Sequence, residues 1–188
     1  MATSEWVNDG TGWYYVDASG RLAESGWMWE SGSWYYLTGG RMTEGWLLDR
    51  GTWYYMDPCT GAMATGWVNV GGAWYYLSGS GAMVAGWLLD HGTWYHLSEG
   101  GAMNTGWYRD ASSWYFLSDS GAMRTGWLNS GGSWYYMSAN GAMSTGWVND
   151  HGAWYYMDST GVMVTGTVSI DGRSSLFSSS GRWVGYAS

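Results

Sequence analysis

The sequence predicts an all-β chain, a repetitive β-hairpin solenoid of about nine hairpins with an atypical last one. Three observations carry this. Gly-Trp, six residues, then Trp-Tyr-Tyr or a close variant returns about every twenty residues along almost the whole chain. Gly makes up 32 of 188 residues against a single Pro, which reads as many tight turns. Apolar residues show no helical period, and Gly is too frequent for helix interiors. Residues 1–166 therefore form eight tandem repeats of ~20 residues, and residues 167–188 a degenerate capping repeat.

Each element follows from one unit, here Gly126 to Thr145. Gly-Trp-Leu is a short aromatic and apolar run, followed by the turn formers Asn129-Ser130-Gly131-Gly132. Trp134-Tyr135-Tyr136-Met137 is the second run, and Ser138-Ala139-Asn140-Gly141 the next turn. Two such runs joined by a few residues containing Gly read as a β-hairpin, and Gly-Ala-Met-Ser-Thr connects to the next unit. An isolated hairpin of this size is marginal, so the units must stack. In the last unit Gly166-Thr167-Val168 replaces Gly-Trp, and Leu176-Phe177 stands where the aromatic run ends elsewhere. Its hairpin is expected to persist, with Trp183, Val184 and Tyr186 folding back over the end.

Composition narrows the function. Fifteen acidic residues face seven Lys and Arg, a formal charge of −8, which argues against nucleic acid or an anionic membrane surface. No apolar run approaches the ~20 residues needed to span a bilayer, so no membrane insertion is expected. No charged start followed by an apolar stretch marks a secretion signal in this chain. Cys59 is the single cysteine, which precludes an intrachain disulfide. His91, His96 and His151 suggest neither a metal site nor a triad, and no cofactor is implied. Asp9, Asp49, Asp90 and Asp150 lie in corresponding turns and read as turn formers. The repeat accounts for every unit, so no catalytic residue is assigned and the chain is not expected to be an enzyme.

The aromatic residues are the candidate site. Side chains alternate along a strand, so the first and third residues of Trp-Tyr-Tyr share a face and the middle Tyr points away. The middle Tyr residues (Tyr14, Tyr35, Tyr54, Tyr75, Tyr95, Tyr115, Tyr135 and Tyr155) are therefore assigned to packing. Two Trp and a Tyr from adjacent hairpins can form an open box that attracts a quaternary ammonium through the ring quadrupoles. Packing alone is the competing reading of the same spacing.

Thr-Gly-Trp, Gly-x-Trp-Tyr-Tyr and Gly-Ala-Met-x-Thr-Gly-Trp, as in TGWLNSGGSWYYMSANGAMSTGW from Thr125, closely resemble the choline-binding (cell-wall-binding) repeats of Gram-positive bacteria and their phages. The resemblance implies a hairpin solenoid holding choline or phosphocholine groups of teichoic or lipoteichoic acid in cages between consecutive hairpins. It further implies a non-catalytic, extracellular, cell-wall-associated module.

Carried over, the cages are Trp6, Trp13 and Tyr36; Trp27, Trp34 and Tyr55; and Trp46, Trp53 and Tyr76. Trp107 and Trp114 join Tyr136, and Trp127 and Trp134 join Tyr156. In three further cages Trp67 and Trp74 meet His96, Trp87 and Trp94 meet Phe116, and Trp147 and Trp154 meet Leu176, the last expected to be the weakest. Met42, Met63, Met83, Met103, Met123, Met143 and Met163 are the lining methionines. A glucan-binding or other carbohydrate-binding repeat module, or a purely structural spacer, are the alternatives. Exposed aromatic ends leave a homodimer open.

Overall fold

The computed structural model describes residues 4–187. Among them every regular element is a strand, arranged as successive antiparallel hairpins. The chain divides into two compact units, residues 1–86 with 97–103 and residues 87–96 with 104–188.

In the first unit, β1 (Glu5–Asn8) pairs with β2 (Trp13–Val16), and β3 (Gly26–Glu30) pairs with β4 (Ser33–Thr38). The short β5 (Arg41–Met42) lies between β2 and β4 and joins these hairpins into one five-stranded sheet. The hairpins β6 (Gly45–Asp49) with β7 (Thr52–Met56) and β8 (Gly66–Val70) with β9 (Ala73–Leu77) follow.

The hairpin of β10 (Gly86–Asp90) and β11 (Thr93–Leu97) contributes residues 87–96 to the second unit. That unit continues with β12 (Gly106–Arg109) and β13 (Trp114–Leu117), β14 (Gly126–Ser130) and β15 (Ser133–Met137), then β16 (Gly146–Asp150) and β17 (Ala153–Met157). It closes with a three-stranded sheet of β18 (Gly166–Ile170), β19 (Arg173–Phe177) and β20 (Trp183–Tyr186).

Most hairpins turn on two residues with positive φ, as at Ser31-Gly32, Gly71-Gly72, His151-Gly152 and Asp171-Gly172. Both central residues with φ > 0 define the type I′ turn, whose twist matches that of paired strands. His91 and His151 thus occupy strained turn positions, at φ 46° and 48°. Two hairpins use longer loops secured by an aspartate. Asp9 Oδ1 accepts from the Thr11 and Gly12 backbone, and Asp110 Oδ1 from Ser112 and Ser113.

The most deeply buried column is aliphatic and thioether rather than aromatic. It consists of the residue after Tyr-Tyr, or after its equivalent, in seven of the hairpins. Leu37, Met56, Leu77 and Leu97 in the first unit, and Leu117, Met137 and Met157 in the second, are 0% exposed. Each such side chain contributes about 1.5–3 kcal/mol by leaving water. The second Trp of each repeat stays wet; Trp34, Trp74 and Trp134 are 41%, 45% and 44% exposed.

Connectors lock the hairpins to one another through the backbone. Met63 pairs with Met56 of its own hairpin, and its N–H donates to Trp34 O of the previous hairpin at 2.7 Å. Met83 does the same to Trp53, Met143 to Trp114 and Met163 to Trp134. At the C-terminal end β20 does fold back, pairing with β19.

Candidate aromatic cages

Cross-strand register explains why two Trp residues converge in each hairpin. Trp27 lies opposite Tyr36, and Trp34 is two residues before Tyr36, so all three share one face of the β3–β4 hairpin. Tyr35, Met28 and Leu37 share the other face. The Trp27 and Trp34 rings stand nearly perpendicular, with centroids 6.5 Å apart, and form the corner of a cavity. The same corner recurs at Trp46/Trp53, Trp107/Trp114 and Trp127/Trp134, each at 6.3 Å.

The third ring differs from the sequence expectation. Tyr36 packs edge-on against Trp27 of its own hairpin at 5.2 Å, and Tyr55, Tyr136 and Tyr156 do likewise on Trp46, Trp127 and Trp147. At six of the Trp pairs the facing wall is instead the middle Tyr of the following hairpin. Tyr35 stands 5.0 Å from Trp6, Tyr54 4.7 Å from Trp27, and Tyr75 4.8 Å from Trp46. Tyr115, Tyr135 and Tyr155 face Trp87, Trp107 and Trp127 at 4.8, 4.8 and 4.7 Å. The reason is geometric: within each unit consecutive hairpins meet front to back, so the Trp face of one is covered by the opposite face of the next.

Five cavities have the same construction. Trp27, Trp34, Tyr54 and Met63 line one of about 380 Å³ with Gly79 and Ser80. Trp107, Trp114, Tyr135 and Met143 line the largest, about 500 Å³, with Ser159 and Thr160. The others gather Trp6, Trp13, Tyr35 and Met42; Trp46, Trp53, Tyr75 and Met83; and Trp127, Trp134, Tyr155 and Met163. Each draws on three consecutive repeats. The first gives the Trp pair, the second the Tyr and Met, and the third a turn that closes the side. Cys59, in such a turn, borders the first cavity with Thr60.

Trp67 pairs with Tyr76 at 5.2 Å, and the Met103 N–H donates to Trp74 O at 2.8 Å within the first unit. His96 belongs to the second unit, where it is buried, meets Trp87 at 5.0 Å and stacks on Tyr108 at 3.8 Å. Its Nδ1 lies 2.8 Å from Asn104 Nδ2, which makes Nδ1 the acceptor and puts the proton on Nε2. Burial pushes the His96 ring below the usual histidine range, with Asp110 pulling weakly the other way. Phe116 packs on Trp107 at 5.2 Å rather than facing Trp87 and Trp94. The Met123 N–H donates to Trp94 O at 2.8 Å.

Trp147 and Trp154 keep the corner at 6.3 Å, but two further rings pack on Trp147. Ser175 stands where the middle Tyr would be, and Trp183, in the position of the lining Met, lies 5.8 Å from Trp147 with Phe177 equally near. Leu176, the expected wall, is 38% exposed.

One set of contacts was not expected. Trp27 Nε1 donates to Asp49 Oδ2 at 3.0 Å, Trp127 Nε1 to Asp150 Oδ2 at 3.0 Å, and Trp107 Nε1 to Ser130 Oγ at 3.1 Å. Asp49 and Asp150 are thus indole acceptors as well as neighbours of a turn. Their signal in the sequence is position: the last residue of each first strand, 22 or 23 residues after the Trp it serves.

A stack of hairpins that frames open aromatic cavities at a fixed repeat defines a repeat-built binding module. The chain belongs to the choline-binding repeat family. Residues 64–105 and 104–145 match the choline-binding repeat, and residues 4–22, 25–39, 44–58 and 145–163 match the cell wall binding repeat. The choline-binding domain of CbpL from Streptococcus pneumoniae is 30% identical with a TM-score of 0.73, over 99% of this chain and all (100%) of that one. CbpJ from the same species is 44% identical with a TM-score of 0.83, over 92% of this chain and 62% of that one. Choline binding protein F, also from Streptococcus pneumoniae, is 40% identical with a TM-score of 0.78, over 92% and 61%. The chain thus spans less than two thirds of the length of these last two relatives. Among curated proteins no sequence matches it.

Proposed function

We propose that this module binds choline groups of teichoic or lipoteichoic acid, one trimethylammonium to each open cage, and so holds its parent protein at a Gram-positive cell wall. The observation that carries the reading is the fivefold recurrence of two perpendicular Trp, a Tyr and a Met around a cavity. A quaternary ammonium donates no hydrogen bond, and rings turned toward a small cavity attract it by their quadrupoles at about 0.5–2 kcal/mol per contact. Single cages are therefore weak. A polymer bearing many cholines engages several at once, and avidity gains of roughly 10²–10⁴ follow without any new contact.

The module acts by binding alone, outside the cell, with no catalytic step. Residues 1–166 serve as the eight repeats and 167–188 as the cap, a reading supported by the packing of Trp183 and Phe177 on Trp147. Val184 and Tyr186 of β20 are 64% and 60% exposed, which supports self-association into a homodimer through this end. Sedimentation with and without choline tests the dimer.

The main test is titration of choline chloride against Trp fluorescence, with sodium chloride as the ionic-strength control. Saturable change specific to choline is expected in the millimolar range. No response to choline, together with a response to glucans, would replace this reading by the carbohydrate one.

A further inference from the structure

The cages are alike in their rings but not in what stands behind the rings. At three cages the last residue of the first strand in one hairpin accepts from the indole N–H of the first Trp in the hairpin before. Asp49 and Asp150 place a carboxylate oxygen 3.0 Å from Trp27 and Trp127 Nε1. Ser130 places a neutral hydroxyl 3.1 Å from Trp107 Nε1. Val70 holds the equivalent position for Trp46 and offers no acceptor. Asp150 has both oxygens engaged, Oδ1 lying 2.8 Å from His151 Nδ1.

We infer that these residues grade the cages by charge, with Asp49 and Asp150 making the Trp27 and Trp127 cages selective for a cation over a neutral group of the same shape. The inference rests on the choline reading above and deepens it. Two effects act in the same direction. A carboxylate accepting the N–H polarises the indole, draws positive character toward the nitrogen edge and makes the ring face more negative. It also brings a full negative charge to the nitrogen edge of that ring, in a partly buried setting where solvent screens it incompletely. Ser130 supplies orientation without charge, and Val70 supplies neither. These are positioning residues, since none is among those lining the cavities.

The test uses the whole chain labelled with 5-fluorotryptophan, with the resonances of Trp27, Trp46, Trp107 and Trp127 assigned by single Trp→Phe variants. Choline is titrated against 3,3-dimethylbutan-1-ol, its uncharged isostere, at low salt and at high salt. In the unaltered protein the preference for choline over the alcohol should be larger at Trp27 and Trp127 than at Trp107 and Trp46. Asp49→Asn keeps an acceptor for the N–H and removes only the charge. It should weaken choline at the Trp27 cage by roughly three- to tenfold at low salt, less at high salt, and leave the alcohol within about twofold. Asp150→Asn should do the same at Trp127. Val70→Asp should raise choline affinity at Trp46, which guards against a trivial loss of folding.

Equal weakening of choline and alcohol by Asp49→Asn would overturn the inference, as would no change in choline. If choline moves none of the four resonances, the choline reading itself has failed. If choline binds all four with one selectivity, that reading stands and only the grading falls.

Discussion

A side chain at Gly81 would collide with Met63: a Cβ built there lies 2.2 Å from the Met63 sulfur and 2.8 Å from its Cγ. The same contact joins Gly61 to Met42, Gly101 to Met83, Gly141 to Met123, Gly161 to Met143 and Gly181 to Met163. The turn of one repeat thereby clamps the methionine that lines a cage two hairpins back. Gly81→Ala should displace the Met63 thioether and weaken choline at the Trp27 cage. Gly86, at φ +82° with nothing within 4 Å of a built Cβ, is the control. Both substitutions incur about 1–2 kcal/mol of left-handed backbone strain. Only Gly81→Ala should change the Trp27 signal in a choline titration.

Tyr54 and Tyr55 are neighbours with different duties, and alanine variants separate them. Tyr54→Ala removes the wall facing Trp27 and should abolish binding at that cage, lowering the calorimetric stoichiometry by one. Tyr55→Ala removes the ring packed on Trp46 at 5.1 Å. It should cost stability, about 3 kcal/mol or less for a partly exposed aromatic, with the Trp27 cage still able to bind. The reverse pattern would return the second Tyr to the cage.

The Trp147 and Trp127 cages should differ in the same assay. Trp147→Phe is expected to leave choline stoichiometry unchanged, because Trp183 and Phe177 pack on the Trp147 ring. Trp127→Phe should remove one site. Equal loss from the two variants would show that the Trp147 cage also binds choline.

His96 gives the stability a mildly acidic limb. Its folded-state pKa is depressed, chiefly by burial, so between its ordinary value near 6.5 and its lower folded value the unfolded chain binds more protons. Stability is full above about pH 6.5 and falls as pH drops toward the folded pKa. His96→Phe should flatten the Tm profile on the acid side of about pH 6.5. The exposed carboxylates whose pKa is held below the usual value by backbone and hydroxyl donors, among them Asp9, Asp57 and Asp110, act only below about pH 4. An unchanged limb below about pH 6.5 in the variant would assign it to other groups.

How far the sequence reaches can be judged at single positions. The hairpins, their Gly-containing turns, the Trp pairs and the lining methionines are legible because each depends on local pattern: alternation, turn chemistry and a fixed period. Tyr35 and Tyr36 show where that ends. Strand parity says which side chains share a face, and it does so correctly for Trp34 and Tyr36. It does not say which face of the next hairpin will meet them. That is a property of stacking, set by backbone bonds such as Met63 N–H to Trp34 O. Asp49 was hidden for a related reason: beside a turn, an aspartate is expected for turn chemistry alone, and its indole partner is 22 residues away.

The cavity that begins at Trp27 and Trp34 is completed by Tyr54, Met63, Gly79 and Ser80. A fragment of one or two repeats therefore contains no whole receptor, however faithful its sequence. Within a run of regular repeats, once the third is present, each one added completes one receptor. Capacity then lengthens or shortens in steps of whole repeats, and duplication or loss inside the array leaves the surviving receptors intact. A chain built this way can match its valence to the spacing of a polymer by changing its length alone, with no new side chain required.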